Sequence, residues 1–151
     1  MELTKYKHVR IKDICIWERA KKGKIYPEGS FCVQVSATKG QMEYLNEEKE
    51  VESKYCVFQV VSNKYLPAYV YMIFKMNLPE YLRRTQTGLN IVPEIFNEYE
   101  IDLHTNIDTQ HELVNAMRCI DTRIQEEERQ VKAIQELKKF HLQKMFPDMN
   151  R

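Results

Sequence analysis

The stretch TQHELVNAMRCIDTRIQEEERQVKAIQELKKFHLQKMF, residues 109–146, decides the architecture of this 151-residue chain. Residues 94–146 contain neither glycine nor proline, whereas all four glycines lie within the first 88 residues. Apolar side chains recur along the stretch at intervals of mostly four and three residues, which predicts one long helix with a single apolar seam. The members of this seam are Leu113, Met117, Ile120, Ile124, Val131, Ile134 and Met145.

A helix of ~36 residues would be ~54 Å long, about three times the globular average. Its apolar seam must be covered by another helix, either from this chain or from a second copy. Glu127, Lys138 and His141 interrupt the seam, so we expect a partly polar, coiled-coil-like pairing rather than a regular zipper. The pair Thr109 and Glu112 matches a capping box, with Asp108 as an alternative cap, and Pro147 ends the pattern.

The residues before this helix are rich in turns and predict an α+β fold. The runs FCVQVS (31–36) and YCVFQVV (55–61) have the composition of strands, YEIDLH (99–104) alternates like a half-buried strand, and residues 39–52 predict a polar loop with one short strand. Three prolines suit the first turns of short helices, namely Pro67, Pro79 and Pro93. We therefore predict a small mixed sheet with short helices over residues 1–107, followed by the long helix over 108–151.

The overall composition is that of a soluble globular protein, with 43% hydrophobic and 30% charged residues. The longest apolar run, residues 65–74, is about half of what a bilayer crossing needs, and the N-terminus has no hydrophobic signal core. The four cysteines are far apart and form no C-x-x-C pair, which favours neither a metal site nor a disulfide framework. We expect a cytoplasmic protein.

The net charge is only +1, but the charge is segregated along the chain. Residues 1–24 carry eight Lys or Arg against three acidic residues, whereas residues 43–52 carry five glutamates against Lys49 alone. An anionic partner would therefore meet the N-terminal part. Because nucleic-acid binders usually carry excess positive charge, tight binding would require a helper protein.

A basic segment around Gly23 is the first candidate site. Its cationic side chains suit contacts with DNA phosphates, and arginine can also bond guanine. The glycine would let the backbone approach a duplex closely. The alternative is a solvated turn whose lysines only keep the protein in solution. The four cations are Arg19, Lys21, Lys22 and Lys24.

The second candidate site is RRTQTGLN, residues 83–90, where arginine and amide side chains suit guanine and adenine edges. The alternative is an ordinary helix C-terminus, where cations complement the helix dipole and Gly88 ends the helix. A weaker third candidate, residues 34–41, contains Lys39 in a polar turn. The candidate contacts of the second site are Arg83, Arg84, Gln86, Thr87 and Asn90.

Catalysis has little support in the sequence. The four histidines accompany no nucleophile at a recognisable spacing, and the motifs of hydrolases, phosphate-binding loops, zinc proteases and dinucleotide-binding folds do not occur. We therefore expect a chain with no catalytic residues, no metal site and no cofactor of its own.

Four segments, in order, resemble one family. They are ERAKKGKIYPEGSFCVQVSATKGQ, YLRRTQTGLNIVPEIFNEYEI, NIDTQHELV with Gln110 at the helix start, and AIQELKKFHLQKMFP. Together they are similar to the specificity (S) subunit of type I restriction-modification enzymes, in a half-length form. The resemblance covers nearly the whole chain.

The resemblance implies that full-length S subunits carry two target-recognition domains joined by two paired helices. Each domain reads half of a split double-stranded DNA site, and the helices set the spacing. The S subunit binds two methyltransferase (M) subunits, which carry S-adenosylmethionine. This chain has one domain and one helix, so a homodimer would restore the arrangement and favour a palindromic split site.

Under this resemblance, the basic segment would mainly grip phosphates, while Gln86, Thr87 and Asn90 would read base edges and Arg83 or Arg84 could do either. Two hypotheses compete with this one. The first is an interaction protein that binds no DNA and pairs with full-length S or M subunits through its helix. The second is an enzyme with an unrecognised site.

Overall fold

The computed structural model describes residues 1–146, which divide into two compact units, Met1–Val114 and a helical unit that begins at Asn115. Pro147, which the sequence places at the end of the long helix, lies outside the described residues. Across residues 1–146, the helices are too short or too polar to span a bilayer.

Within residues 1–146, eight short strands form three antiparallel sheets. The strands are β1 (Tyr6–Arg10), β2 (Cys15–Arg19), β3 (Ile25–Tyr26), β4 (Phe31–Gln34), β5 (Met42–Tyr44), β6 (Lys49–Glu50), β7 (Tyr55–Val60) and β8 (Glu100–His104). One sheet has four strands in the order β2-β7-β4-β5, and two-stranded ladders join β1 to β8 and β3 to β6. The predicted strands in 31–36, 55–61 and 99–104 are thus confirmed, and the loop at 39–52 holds two short strands rather than one.

The α+β class is confirmed, but the prediction of a mixed sheet is wrong. Every strand pairing among residues 1–146 is antiparallel. A parallel pair needs a crossover connection, usually a helix. The helix that follows β7 leads instead to β8, which pairs with β1 in a different sheet.

Four helical segments accompany the strands in the described part of the chain. The prediction of a separate helix at Pro79 is wrong, because a single helix runs through this proline. Leu78 and Leu82 on either side of it are buried in the core, so tertiary packing outweighs the loss of one backbone hydrogen bond at Pro79. The segments are α1 (Ile11–Ile14), α2 (Pro67–Thr85), a 3-10 helix (Pro93–Glu98) and α3 (Ile107–Met145).

Aromatic rings build the core of the first unit between the four-stranded sheet and α2. Phe31 and Phe58 lie on adjacent strands with ring centroids 5.4 Å apart and nearly parallel planes. Phe74 of α2 meets both rings edge-on at 5.2 and 5.1 Å, and Phe96 meets Phe58 edge-on at 5.1 Å. These contacts join the sheet, α2 and the 3-10 helix to one another. They therefore fix the positions at which the loops between these elements begin and end.

The start of α3 differs from the predicted capping box. The Oδ1 atom of Asn106 accepts the backbone N–H of Thr109 at 3.0 Å, so Asn106 caps the helix. Thr109 is buried inside the first turn, where its Oγ1 accepts the N–H of Glu2 at 3.1 Å. The capping role given to Thr109 or Asp108 is therefore wrong, since Thr109 is used in a tertiary contact with the N-terminus.

Candidate nucleic-acid interface

The basic segment is a tight turn between β2 and β3, organised around Glu18. Glu18 forms an ion pair with Lys24, lies 3.2 Å from the Nζ of Lys21, and accepts the hydroxyl of Tyr26 at 2.8 Å. These partners, Lys24 first, lower the pKa of Glu18 to about 2. The segment is therefore an ordered turn in which one carboxylate offsets part of the positive charge.

The backbone of this turn is also fixed. Gly23 has a φ of +79° and donates its N–H to the carboxylate of Glu50 at 2.6 Å, which ties the turn to β6. Lys22 is exposed and makes no ion pair with any residue in the range 1–146. Of the three lysines in the segment, Lys22 is thus the one that makes no ion pair with a carboxylate in this range.

Arg19 has a different position from its three neighbours. Its Nε donates to the carbonyl of Ser53 at 2.8 Å, and its Nη2 donates to the hydroxyl of Ser36 at 3.0 Å. Ser36 begins the turn of the third candidate segment. Arg19 therefore connects the basic segment to that turn, and part of its hydrogen-bonding capacity is already in use.

The second and third candidate segments are joined to each other. The N–H of Thr38 donates to the carbonyl of Leu89 at 2.9 Å, and the amide of Gln86 donates to the carbonyl of Thr38 at 3.0 Å. The Oδ1 of Asn90 accepts the N–H of Ala37 at 2.7 Å. Gln86 and Asn90 thus each use one amide atom to hold the turn.

Gly40 sets how closely this turn approaches α2. Its φ is +86°, and a Cβ at this position would lie 2.7 Å from Leu82 Cδ1 and 3.1 Å from Leu78 Cδ2. The N–H of Gly40 donates to the Oγ1 of Thr38 at 2.8 Å. Only glycine satisfies both the left-handed backbone and the close approach.

An open groove of about 580 Å³ lies between the joined turns and the end of α2. Lys39 and Thr87 line it, and no ion pair involving Lys39 occurs within the described part of the chain. Leu89, also on the groove, is 82% exposed. The remaining lining residues are Thr38, Pro79, Leu82, Arg83, Gln86 and Gly88.

The two arginines at the end of α2 share one carboxylate. Arg83 donates to Glu80 through Nε at 2.9 Å and Nη2 at 2.8 Å, and Arg84 donates through Nε at 3.0 Å. These donors, Arg83 first, lower the pKa of Glu80 to about 2. Sequence reasoning missed Glu80, although its spacing of three and four residues from the arginines is the spacing of ion pairs on a helix.

The predicted seam of α3 falls into two parts. Leu113 packs against the core of the first unit, and Met117 is half-buried. The later members are between 49% and 69% exposed, namely Ile120, Ile124, Val131, Ile134 and Met145. From residue 118 to residue 146 every side chain is exposed, so an apolar stripe on this part of α3 is uncovered.

Within residues 1–146, no three His, Cys, Asp or Glu residues are arranged to hold a metal ion. The cysteines of the first unit are buried, and burial raises the pKa of Cys15 to about 12 and of Cys32 and Cys56 to about 11. Such thiols stay protonated near neutral pH and do not act as nucleophiles.

Solved structures resemble this arrangement. The S subunit of a type I restriction-modification system from M. genitalium matches with a TM-score of 0.70 at 15% identity, over 97% of this chain and 47% of that chain. A structure describing complex assembly and conformational transition of the type I system matches at 0.73 and 13% identity, over 91% and 44%. The HsdS subunit from Thermoanaerobacter tengcongensis matches at 0.62 and 10% identity, over 85% and 40%.

The fold is that of a type I S subunit. The resemblance inferred from the four sequence segments is confirmed at the level of the fold, and this chain spans less than half of the length of the S-subunit chains that it matches. No family model matches the sequence, and no curated protein matches it significantly. The likeness to S subunits is therefore structural, at identities of 10–15%.

Proposed function

We propose that this chain is a half-length S subunit that recognises DNA for a type I restriction-modification system. The observation that carries the proposal is the assembly of three separate candidate segments into connected loops by Arg19, Gln86 and Asn90. The S-subunit fold supports the recognition role. The half-length form is supported by the match, which covers 97% of this chain but only 47% of the M. genitalium subunit.

In this proposal the side chains divide into two groups. Lys22 and Lys39 have no carboxylate partner among residues 1–146, so they grip phosphates most directly, with Lys21 and Lys24 beside them. Thr87 and the second amide atom of Gln86 read base edges along the groove, and the second amide atom of Asn90 does so beside it. Arg83 and Arg84 serve either purpose once they are released from Glu80.

The exposed stripe of α3 provides the proposed dimer contact. Two copies that pair along Ile120, Ile124, Val131 and Ile134 would bury side chains that a monomer leaves in water. The pair would hold two identical recognition domains, which suits a palindromic split site in double-stranded DNA. Association with M subunits, which would bring S-adenosylmethionine, completes the proposal, and the S chain itself performs no catalytic step.

A charge-reversal experiment tests the DNA-binding part. A random-sequence duplex pool is bound at two salt concentrations, with and without the M subunit. Wild-type affinity should fall steeply with salt, and the double variant Lys22→Glu/Lys39→Glu should lose at least tenfold. Lys7→Glu, on the β1–β8 ladder outside the three segments, makes half of the same charge change and should lose much less.

The alternative function, an interaction protein that pairs with full-length S or M subunits without touching DNA, needs α3 but not the basic segments. It predicts that the triple reversal Lys21→Glu/Lys22→Glu/Lys24→Glu leaves every measured interaction unchanged. Salt-independent or absent DNA binding by the wild type, even with the M subunit present, would therefore replace the proposed function with this one.

A further inference from the structure

The cations of the two main candidate segments follow one arrangement, in which a single carboxylate is shared by two cationic side chains. Glu80 accepts three hydrogen bonds of 2.8–3.0 Å from Arg83 and Arg84. Glu18 is shared in the same way by Lys21 and Lys24. Each trio therefore carries a net charge of +1 rather than +2.

The hydrogen bonds of Arg83 occupy the donors that DNA would use. Its Nε and Nη2 form the paired edge of the guanidinium, which binds carboxylate and phosphate groups with two parallel hydrogen bonds. The same paired geometry serves for guanine O6 and N7. Glu80 and a DNA acceptor thus compete for the same edge of Arg83.

The two carboxylates differ in how they are held. Glu18 is fixed by the hydroxyl of Tyr26 in addition to its lysines. Among residues 1–146, Glu80 is held by the two arginines alone, and its side chain is 52% exposed. Since the arginines lower its pKa to about 2, Glu80 is ionised at every pH near neutrality and competes with DNA throughout.

We propose that Glu80 is a specificity-determining residue that holds Arg83 and Arg84 away from non-target DNA. On a random duplex, Arg83 or Arg84 must give up its hydrogen bonds to Glu80 in order to contact a phosphate. The loss of these bonds offsets most of the free energy that the phosphate contact gains. A matched site supplies base contacts from the neighbouring loop and makes the exchange favourable. This inference rests on the proposed function.

The test compares Glu80→Gln with wild type on a fluorescent random-sequence duplex and on a duplex enriched from a random pool. Each added phosphate contact steepens the dependence of log K on log salt by about 0.9, or roughly eightfold in affinity at 0.1 M salt. Glu80→Gln should bind the random duplex more tightly by this factor and should gain less affinity for the enriched duplex. The ratio of the two affinities should therefore be smaller than in the wild type. Thermal melting of both proteins verifies that the fold is unchanged.

Glu94→Gln is the matched control, because Glu94 is exposed on the 3-10 helix and has no ion pair with any residue in the described range. It makes the same change of charge without releasing an arginine, so its salt slope should equal that of wild type. Equal slopes and equal affinities for Glu80→Gln and Glu94→Gln would overturn the inference. A wild-type protein that binds neither duplex would overturn the proposed function first, and the wild-type titration alone would reveal that result.

Discussion

Gln110 is completely buried, and its amide group is fully used. Its Oε1 accepts the N–H of Leu66 at 2.9 Å, and its Nε2 donates to the carbonyls of Lys64 at 3.1 Å and His104 at 2.8 Å. One side chain on α3 thus holds the residue that precedes α2 and the end of β8. Sequence reasoning singled out Gln110 only through the family resemblance, and the structure provides a physical reason for it.

Gln110→Ala should therefore destabilise the first unit. The substitution leaves one partly buried N–H and two carbonyls without their partner, and we expect a loss of about 2–4 kcal/mol in the free energy of unfolding. Urea denaturation followed by circular dichroism measures this loss. Gln125→Ala, the same substitution on the exposed part of α3, should change stability by less than ~0.5 kcal/mol. Equal effects of the two substitutions would contradict the role given to Gln110.

A comparison of two glycines with similar backbone angles distinguishes the cost of backbone strain from the cost of steric crowding. Gly23 and Gly40 have φ of +79° and +86°, but a Cβ on Gly23 would meet nothing within 4 Å, whereas on Gly40 it would lie 2.7 Å from Leu82. Gly23→Ala should cost only backbone strain, about 1 kcal/mol. Gly40→Ala should cost about 2–3 kcal/mol because the turn must also shift. Thermal melting compares them, and equal losses would argue against the tight seating of the turn on α2.

His8 makes the β1–β8 ladder sensitive to pH. Its Nδ1 lies 2.7 Å from Asp102 and its Nε2 lies 2.7 Å from Glu100, which also receives Arg10 at 2.9 Å. The carboxylates, Asp102 first, raise the pKa of His8 above its ordinary 6.5. A raised pKa in the folded state means that protonated His8 stabilises the fold fully below about pH 6.5, and that this contribution is lost as pH rises through the folded value.

His8→Asn should consequently lower the melting temperature at pH 6 and leave it unchanged at pH 9. Melting curves of wild type and His8→Asn from pH 6 to pH 9 measure the difference in melting temperature. A difference that grows with pH would show that the sign assigned to His8 is wrong.

Glu100 acts at the acid end of the pH range. Arg10 first and then His8 lower the pKa of Glu100, so the stability that Glu100 provides is lost only as pH falls below the ordinary carboxyl value of 4.5.

At the scale of elements, the proposed dimer depends on α3. Ile124 and Ile134 are 49% and 66% exposed on the uncovered stripe, so a glutamate at either position would place a charge in the proposed helix pair. Ile124→Glu/Ile134→Glu should remain folded in its first unit and sediment as a monomer. Thr122→Glu introduces a charge off the stripe and should remain a dimer. A double variant that stays dimeric would exclude this stripe as the contact.

The elements that the sequence predicted well are those with local causes. The long helix is confirmed because a glycine-free stretch with a 4–3 repeat has no competing structure, and β4 and β7 are confirmed from their β-branched and aromatic residues. The prediction of a helix start at Pro79 failed because α2 continues through this proline. The packing of Leu78 and Leu82 that stabilises it there is tertiary and is not visible in local sequence. The strand β1 was not predicted, since YKHVR is mostly exposed and pairs with β8 at the far end of the domain.

The candidate site shows the same division. Composition was enough to indicate the basic segment and RRTQTGLN, but their connection through Thr38, Leu89 and Asn90 depends on hydrogen bonds across about 50 residues of sequence. The ion pairs of Glu80 could have been read from helical spacing. The contact of Arg19 with Ser36 could not, because it depends on where two strands end.

At the scale of the whole molecule, the features to be reconciled are a net charge of +1, a single S-subunit-like domain and an uncovered apolar stripe. A monomer would leave the stripe in water and would hold DNA with few unpaired cations. Pairing of two copies would cover the stripe and double the proposed DNA-facing surface, and an M subunit would add further contacts. These features favour the proposed assembly over a protein that acts alone.

The most direct test is the mass in solution by light scattering, alone and with DNA at two salt concentrations. The proposed function predicts a particle of about twice 18.1 kDa that binds DNA with an affinity falling steeply as salt rises. A stable monomer of 18.1 kDa, or a dimer indifferent to DNA even with an M subunit present, would contradict it.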